Sequence, residues 1–266
     1  MRTEDVGKYW EANAATWTRL SRSGRDVYRD TLNTPAFLNM LPPISEMEGL
    51  DVGCGEGTNT RELAKRGARM TGIDIAPTFV NFAREAEKRA PLGIDFVVGD
   101  GTKLDFSDGS FDFVTAFMSL MDMASQDRAL SEIGRVLRPS GFVQFSILHP
   151  CFVPPTRRTI RDGSGRTTAV EIANYFDGVP GEVETWWFST LTETERKGVE
   201  PFRVPRFHRT LSDWVNGICS AGLTIEEFGE PRPSEEVAKA FPKVADTRVA
   251  PIFLHVRARK FKSVDT

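Results

Sequence analysis

Leu50-Asp51-Val52-Gly53-Cys54-Gly55-Glu56-Gly57 is the stretch that decides the fold of this chain. It ends a short apolar run, turns on closely spaced glycines and leads into Thr58–Ala64, which has the pattern of a helix opening on a threonine. Glycine lets the backbone turn sharply and lets a ligand approach closely. The N-terminus of the following helix offers free N–H groups and the positive end of its dipole. The stretch therefore predicts a strand, a tight turn and a helix that together form an anion or nucleotide site.

Acidic residues follow the next two predicted strands. Asp74 lies in the apolar run Gly72–Ile75, about 20 residues past the glycines, which is the separation at which an acid can hold ribose hydroxyls. Asp100 comes after the run Ile94–Val98 in the same way. Ligands of open α/β sheets bind at the carboxyl ends of the strands. Both acids are therefore candidate ligand contacts, although Asp100 has the alternative of an ordinary turn carboxylate.

Five short blocks occur in order along the chain. They are Asp51-x-Gly53-x-Gly55-x-Gly57, Gly72-Ile73-Asp74-Ile75, Gly99-Asp100-Gly101, Phe111-Asp112-Phe113-Val114 and Leu137-Arg138-Pro139-x-Gly141. Each block alone is weak, but the set is specific. Together, over roughly residues 45–148, they resemble the class I S-adenosylmethionine-dependent methyltransferases. The resemblance implies an α/β fold with a doubly wound, seven-stranded, mostly parallel Rossmann-like sheet whose last strand is antiparallel.

The resemblance also implies the cofactor, S-adenosyl-L-methionine, and a set of residues around it. The glycine turn, the two acids and the segment after the fourth strand would hold this cofactor. Phe79 has the alternative of plain core packing at helical spacing, and so have the methionines after the fourth strand. The implied cofactor-binding residues are Tyr28, Arg29, Gly53, Cys54, Gly55, Asn59, Asp74, Ile75, Phe79, Asp100, Gly101, Thr102, Phe117, Met118 and Met121.

Residues 1–40 have the pattern of polar helices with aromatic anchors and resemble the N-terminal cap of many small-molecule methyltransferases. Two interpretations are open, a flap that packs its aromatics on the main domain and a lid over the cofactor. Within this cap, Tyr28 and Arg29 are candidates to bind the methionine carboxylate, because a guanidinium fork matches a carboxylate in geometry and charge.

Residues 151–207 interrupt the family pattern and divide the predicted methyltransferase domain into residues 41–150 and 208–266. The insertion is rich in glycine, proline, arginine and aromatic residues. We expect a lid over the active-site mouth, with strands at Glu184–Leu191 and Phe202–Phe207. Pockets for small organic substrates are mainly apolar, so such a lid indicates an aromatic or otherwise apolar acceptor. The alternatives are a dimer contact and a self-contained minicore.

His149 is the candidate general base. The turn Arg138–Gly141 leads into a predicted fifth strand, Phe142–Leu148, and His149 stands just past its carboxyl end. An ordinary histidine pKa near 6.5 suits proton removal at neutral pH. The alternative is a turn histidine bonded to the backbone.

Bulk properties exclude several classes of protein. The chain has 266 residues and a net charge of -3, which is unlike a dedicated nucleic-acid binder. No run approaches the ~20 apolar residues of a membrane span, and no Cys/His cluster has zinc spacing. Three scattered cysteines indicate a reducing cytosol without a disulfide framework. We therefore expect a cytoplasmic monomer or homodimer with no metal, no nucleic-acid partner and no membrane association.

The expected reaction is methyl transfer to an oxygen, nitrogen or carbon of a small molecule. One alternative is a methyltransferase fold that acts on a protein substrate or binds the cofactor without catalysis. Another is a nicotinamide oxidoreductase. Thr58 disfavours it, because a G-x-G-x-x-G fingerprint has glycine or alanine at that place.

Overall fold

The computed structural model describes residues 1–261. Its strands are β1 Glu48–Val52, β2 Arg69–Asp74, β3 Asp95–Val98, β4 Phe111–Phe117, β5 Leu137–Leu148, β6 Thr156–Arg161, β7 Thr167–Ala173, β8 Val179–Trp186, β9 Phe202–His208, β10 Leu223–Gly229 and β11 Phe253–Lys260. Its α-helices are α1 Thr3–Arg22, α2 Thr34–Met40, α3 Thr58–Lys65, α4 Pro77–Arg89, α5 Gln126–Val136, α6 Glu193–Lys197, α7 Leu211–Ser220 and α8 Glu235–Ala240. A π-helix spans Arg29–Asn33, and 3-10 helices span Leu120–Asp122 and Pro242–Arg248.

Seven strands form the central sheet in the order β10-β11-β5-β4-β1-β2-β3. The strands β1 to β5 pair in parallel, whereas β11 lies antiparallel to both β5 and β10. Parallel neighbours need helical crossovers, and these place helices on both faces of the sheet. The predicted doubly wound sheet with an antiparallel last strand is confirmed.

Each face of the sheet has its own apolar core. One face is covered by α5 and α7, whose Leu130, Ile133 and Trp214 pack with sheet residues such as Phe145. The other face is covered by α2, α3 and α4, which pack on residues such as Phe113. The alternation of strand side chains divides the apolar residues between the two cores. This packing fixes the strand ends that carry the candidate site.

Strand β5 begins earlier than predicted. It starts at Leu137 rather than at Phe142, and Leu137 pairs with Phe111. The register shifts between Phe111 and Phe113, and Ser140 has a φ of 66°. The predicted turn is therefore absorbed as an irregularity within one longer strand, because a left-handed residue bends a strand without ending it.

The insertion contains two hairpins instead of the single pair of strands that we expected. The prediction of a strand at Phe202 is confirmed by β9, but its partner β8 begins at Val179 and ends at Trp186 rather than at Leu191. An additional hairpin pairs β6 with β7. Most of its side chains face solvent, so it lacks the buried alternation by which strands are predicted. After the insertion, helix α7 begins with a capping box formed by Thr210 and Asp213.

The N-terminal helices and the insertion pack on each other. Trp17 of α1 lies in contact with Trp186, Phe188 and Phe202, at ring-centroid distances of 5.5, 5.0 and 4.8 Å. The Asn13 side chain donates to the carbonyl of Arg203 at 2.9 Å and accepts from its N–H at 3.2 Å. Phe188 and Phe202 of the insertion are therefore buried against α1 within the same chain.

Candidate functional site

The glycine turn adopts a backbone conformation that suits glycine at all three positions. Gly53, Gly55 and Gly57 have φ values of 74°, 56° and 85°, in the left-handed region. A β-carbon on Gly53 would lie 2.3 Å from the β-carbon of Ser119, and one on Gly57 would lie 2.9 Å from the Phe96 ring. On Gly55, by contrast, it would meet no atom of the described residues within 4 Å. Gly53 and Gly57 are therefore required by packing inside the protein, whereas the space next to the α-carbon of Gly55 is open.

Asp51, at the end of β1, stabilises the start of the glycine turn. Its carboxylate accepts hydrogen bonds from the Thr60 hydroxyl at 2.6 Å and from the Thr115 hydroxyl at 2.8 Å. The residue is 1% exposed, and burial raises its pKa while the two hydroxyls oppose that shift. These bonds connect β1 to α3 and β4, and they fix the end of β1 from which the glycine turn begins.

Asp74 lies next to the open space above Gly55. Its carboxylate accepts from the Gly55 N–H at 2.8 Å and from the Ala76 N–H at 2.9 Å. Burial raises the pKa of Asp74 to about 6, although the two backbone donors act in the opposite direction. A carboxylate has about four lone-pair positions, so two remain for ligand hydroxyls.

Asp100 and Gly101 follow β3 at the same edge of the sheet. The Asp100 carboxylate accepts from the backbone N–H and the hydroxyl of Thr102, both at 2.8 Å. A β-carbon on Gly101 would lie 2.8 Å from Met123, so this glycine allows the segment after β4 to approach. Asp74, Asp100 and the glycine turn therefore follow the carboxyl ends of the neighbouring strands β2, β3 and β1 at one edge of the sheet.

The segment after β4 passes beside the residues that follow β1 and β3. Met118 has a φ of 55°, and its sulfur accepts from the Ser146 hydroxyl at 3.4 Å. The Ser119 hydroxyl donates to the Val52 carbonyl at 2.6 Å, directly beside Gly53. The Met121 sulfur accepts from the Leu148 N–H at 3.1 Å. The two predicted methionines thus lie between the ends of β4 and β5.

Asn59 and Phe117 lie in a closely packed region beneath the cap. Phe117 packs edge-on against Phe37, with 5.0 Å between ring centroids, and Asn59 accepts from the Thr34 hydroxyl at 3.3 Å. The region is formed by Thr34, Phe37, Leu38, Asp51, Asn59, Leu63, Thr115 and Phe117. Both predicted residues are therefore packed in the same region as Asp51.

Helix α1 covers the residues expected near the adenine. A β-carbon on Gly7 of this helix would lie 3.1 Å from Ile75, so a glycine there allows close contact. Phe79 is buried with Ala14 and Ala76, and Trp10 packs against it at a centroid distance of 6.3 Å. In this arrangement Phe79 is part of the core between α1 and α4, as its helical spacing also predicted. Its contact with adenine stays a prediction.

Cys54 contributes its backbone rather than its side chain to the turn. Its sulfur lies 3.0 Å from the place of a β-carbon on Gly72, within the core. Burial raises the pKa of its thiol well above the usual value. A role in cofactor binding would therefore involve main-chain atoms.

Tyr28 and Arg29 lie on the cap, and the structure separates them. The Tyr28 hydroxyl donates to the Lys243 carbonyl, which directs it away from the glycine turn. Arg29 donates to the Ser21 hydroxyl, and its guanidinium lies 3.7 Å from the Glu56 carboxylate. Arg29 therefore lies beside the turn, whereas Tyr28 does not join it.

Sequence reasoning missed Glu56 and its partner Arg22. Glu56 stands between Gly55 and Gly57 and is 5% exposed. Arg22, in the last turn of α1, donates to its carboxylate at 2.7 Å and to its carbonyl at 3.0 Å. The acid within the glycine block was visible in the sequence, but its partner lies 34 positions away. This ion pair fastens the cap to the glycine turn.

His149 is engaged at both ring nitrogens. Its Nδ1 accepts from the Cys151 N–H at 3.2 Å, so Nε2 carries the proton and faces the Glu230 carboxylate at 2.9 Å. Burial lowers the pKa of the ring, and Glu230 opposes that effect. This geometry is that of a histidine that holds the turn after β5. Its role as a base stays a prediction.

The fold is that of the S-adenosylmethionine-dependent methyltransferases. A crystal structure of an S-adenosylmethionine-dependent methyltransferase from Mesorhizobium loti superposes with a TM-score of 0.69 at 28% identity, covering 85% of this chain and 96% of that one. Residues 50–145 match the family model of the methyltransferase domain. The chain therefore contains, over these residues, a domain of the methyltransferase family, and the predicted resemblance is confirmed.

Curated relatives match over the same region. An O-methyltransferase from Penicillium expansum is 35% identical over 149 residues, covering 54% of this chain and 51% of that protein. A fatty-acid O-methyltransferase from Mycolicibacterium smegmatis is 36% identical over 124 residues, covering 44% of each. The chain thus spans about half the length of these relatives. Within residues 1–261, no helix has the length and apolar character that crossing a membrane requires.

Proposed function

We propose that this chain transfers the methyl group of S-adenosyl-L-methionine to an oxygen, nitrogen or carbon atom of a small, apolar or aromatic molecule. The open space above Gly55 carries this proposal. It lies beside the Asp74 carboxylate, at the N-terminus of α3 and at the carboxyl ends of parallel strands. A backbone cradle with an acid beside it fits a ligand that has both ribose hydroxyls and a carboxylate.

The residues at the strand ends would each contact a different part of this cofactor. Asp74 would accept hydrogen bonds from the ribose hydroxyls, and Asp100 with Thr102 would face the adenine side. The glycine turn and Asn59 would lie along the methionine part of the cofactor. The Arg29 guanidinium, which lies 3.7 Å from the Glu56 carboxylate of this turn, would lie on the same side. The cofactor supplies an activated methyl group on a sulfonium. The protein then contributes mainly alignment, which can account for much of the rate acceleration.

The cap and the insertion would exclude water from the transfer. We propose residues 1–40 as the cap and residues 151–207 as a lid, on a methyltransferase domain of residues 41–150 and 208–266. Trp17 joins the cap to the insertion, while the pair of Arg22 with Glu56 joins the cap to the glycine turn. Since both segments are fastened to each other, we expect them to open and close as one unit over the acceptor.

The names of the relatives favour a small acceptor. One relative is named as a fatty-acid O-methyltransferase, and another from Rhodobacter capsulatus as a magnesium-protoporphyrin O-methyltransferase. Both names describe small organic molecules rather than macromolecules, and the aromatic residues of the insertion fit an acceptor of that class. A net charge of -3 supports the absence of a nucleic-acid partner. The free cysteines, Cys54, Cys151 and Cys219, support a reducing, cytoplasmic compartment.

Thermal unfolding with added ligand tests the proposal. S-adenosylhomocysteine should raise the melting temperature in proportion to the logarithm of its concentration, because it stabilises the native state by mass action. NAD serves as the control and should leave the melting temperature unchanged. A shift with NAD alone would instead support an oxidoreductase.

A screen of candidate acceptors separates catalysis from cofactor binding. Phenols, fatty acids and porphyrins are incubated with S-adenosyl-L-methionine, and mass spectrometry measures the gain of a methyl group. Cofactor binding without any methylated small molecule, together with methylation of added proteins, would favour a protein acceptor.

A further inference from the structure

Asp122 is an acid outside the set of predicted cofactor contacts. It ends the 3-10 helix Leu120–Asp122, shortly after Met118 and in the same segment as Met121. Asp122 is half-buried, and its carboxylate forms no hydrogen bond or ion pair within residues 1–261. A half-buried carboxylate without a protein partner is free to accept a hydrogen bond from water or from a ligand.

The neighbours of Asp122 place it between the cofactor side and the insertion. On one side, Ser119 packs on Gly53 and Met123 packs on Gly101, so the segment spans the strand ends that follow β1 and β3. On the other side, β9 of the insertion packs against the 3-10 helix. The 3-10 helix that ends at Asp122 therefore lies between the insertion and the strand ends of the predicted cofactor site.

Two charged side chains of the insertion lie near Asp122. Arg206 of β9 donates to the Glu184 carboxylate of β8 at 2.5 Å and to the Val153 and Pro154 carbonyls at 2.7 and 2.8 Å. Arg206 therefore bonds to other acceptors and forms no ion pair with Asp122 within the described residues. Burial and the negative charge of Glu184 raise the pKa of Asp122 well above its usual range, and Arg206 opposes that shift. A raised pKa brings a carboxyl group closer to the neutral pH at which a general base works.

We propose that Asp122 is the catalytic base of the acceptor pocket and that the acceptor carries a hydroxyl group. The acceptor oxygen forms a bond to the methyl carbon, and the electron pair of the broken carbon–sulfur bond stays on sulfur. The hydroxyl proton passes to the Asp122 carboxylate. This inference rests on the proposed methyl transfer. It takes the role that the sequence alone assigned to His149, whose ring nitrogens both have partners.

Binding of two cofactor analogues tests the position of Asp122 without a known acceptor. Sinefungin carries a protonated amine where the cofactor carries its methyl group, whereas S-adenosylhomocysteine has no charge there. A carboxylate close to that point attracts the amine. Titration calorimetry should show that Asp122→Asn weakens sinefungin binding at least about tenfold and changes S-adenosylhomocysteine binding less than about twofold. Asp105→Asn, which removes an exposed acid, serves as the matched control and should change neither.

The possible results separate the two proposals. If the unaltered protein binds neither analogue, the proposed methyltransferase function is wrong. If it binds both and Asp122→Asn leaves the preference for sinefungin unchanged, Asp122 does not face the transferred methyl group and the inference is overturned. Equal losses for both analogues in a variant that still melts cooperatively would place Asp122 in cofactor binding, which also overturns it. Asp122→Ser provides a second variant if the first does not fold.

Discussion

Gly55 offers the sharpest test of the site, because its substitution separates folding from binding. Alanine there must adopt a φ of 56°, which costs about 1–2 kcal/mol for an L-residue. The added β-carbon meets no atom of the described residues within 4 Å, so packing adds no further cost. For a chain of this size, each 1 kcal/mol lowers the melting temperature by about 2–4 °C. We therefore expect Gly55→Ala to melt only a few degrees lower than the unaltered protein.

Binding should suffer much more than stability. The new methyl group enters the space that the bound ligand would occupy. Crowding of this kind costs about 1–3 kcal/mol of binding free energy. That cost corresponds to a roughly 5- to 150-fold weaker affinity for S-adenosylhomocysteine, measured by titration calorimetry. Gly165→Ala is the matched control, because Gly165 has a φ of 81° and open surroundings but lies in the hairpin of β6 and β7. Equal affinity in Gly55→Ala and Gly165→Ala would refute the placement of the ligand above Gly55.

The remaining predictions concern the fastening of the cap and the pH dependence of stability. Trp17→Ala should lower the free energy of unfolding by about 3 kcal/mol in urea titrations, whereas Phe176→Ala, at a side chain that is 86% exposed, should change it by less than about 0.5 kcal/mol. Arg22→Ala should cost about 2–3 kcal/mol by leaving the buried Glu56 poorly paired, and adding Glu56→Gln should recover part of that loss in a double-mutant cycle. Burial lowers the pKa of His255 to about 4, so its contribution is present above about pH 6.5 and lost as the pH falls toward 4. The stability difference between the unaltered protein and His255→Gln should therefore shrink by about 2 kcal/mol from pH 7 to pH 5, and a constant difference would show that this ring is not kept neutral.

The buried pair of Asn33 and His255 indicates that this histidine has a structural role. Its Nε2 faces the Asn33 side-chain oxygen at 2.6 Å, and the Ser146 hydroxyl donates to the same oxygen at 3.0 Å. Asn33 belongs to the π-helix of the cap, so this network joins the cap to β5 and β11. The cap is thus held at the sheet edge by buried hydrogen bonds in addition to the ion pair of Glu56.

Local patterns in the sequence were sufficient for the central sheet, the glycine turn and the acids after β2 and β3. Left-handed glycines, strand alternation and helix caps each depend on residues that are close along the chain, as in the capping box of Thr210 and Asp213. The position of Asp74 beside Gly55 follows from the same rule, since the carboxyl ends of parallel strands meet at one edge.

Tertiary structure alone decided which side chains meet across that edge. Arg22 reaches Glu56, Trp17 packs on Phe202, and β9 packs on the 3-10 helix Leu120–Asp122, and each of these contacts joins residues far apart in sequence. Whether His149 is free or bonded depends in the same way on Glu230, which lies 81 positions later. Such contacts depend on how separate elements pack in three dimensions. No periodicity or spacing within a single segment encodes them.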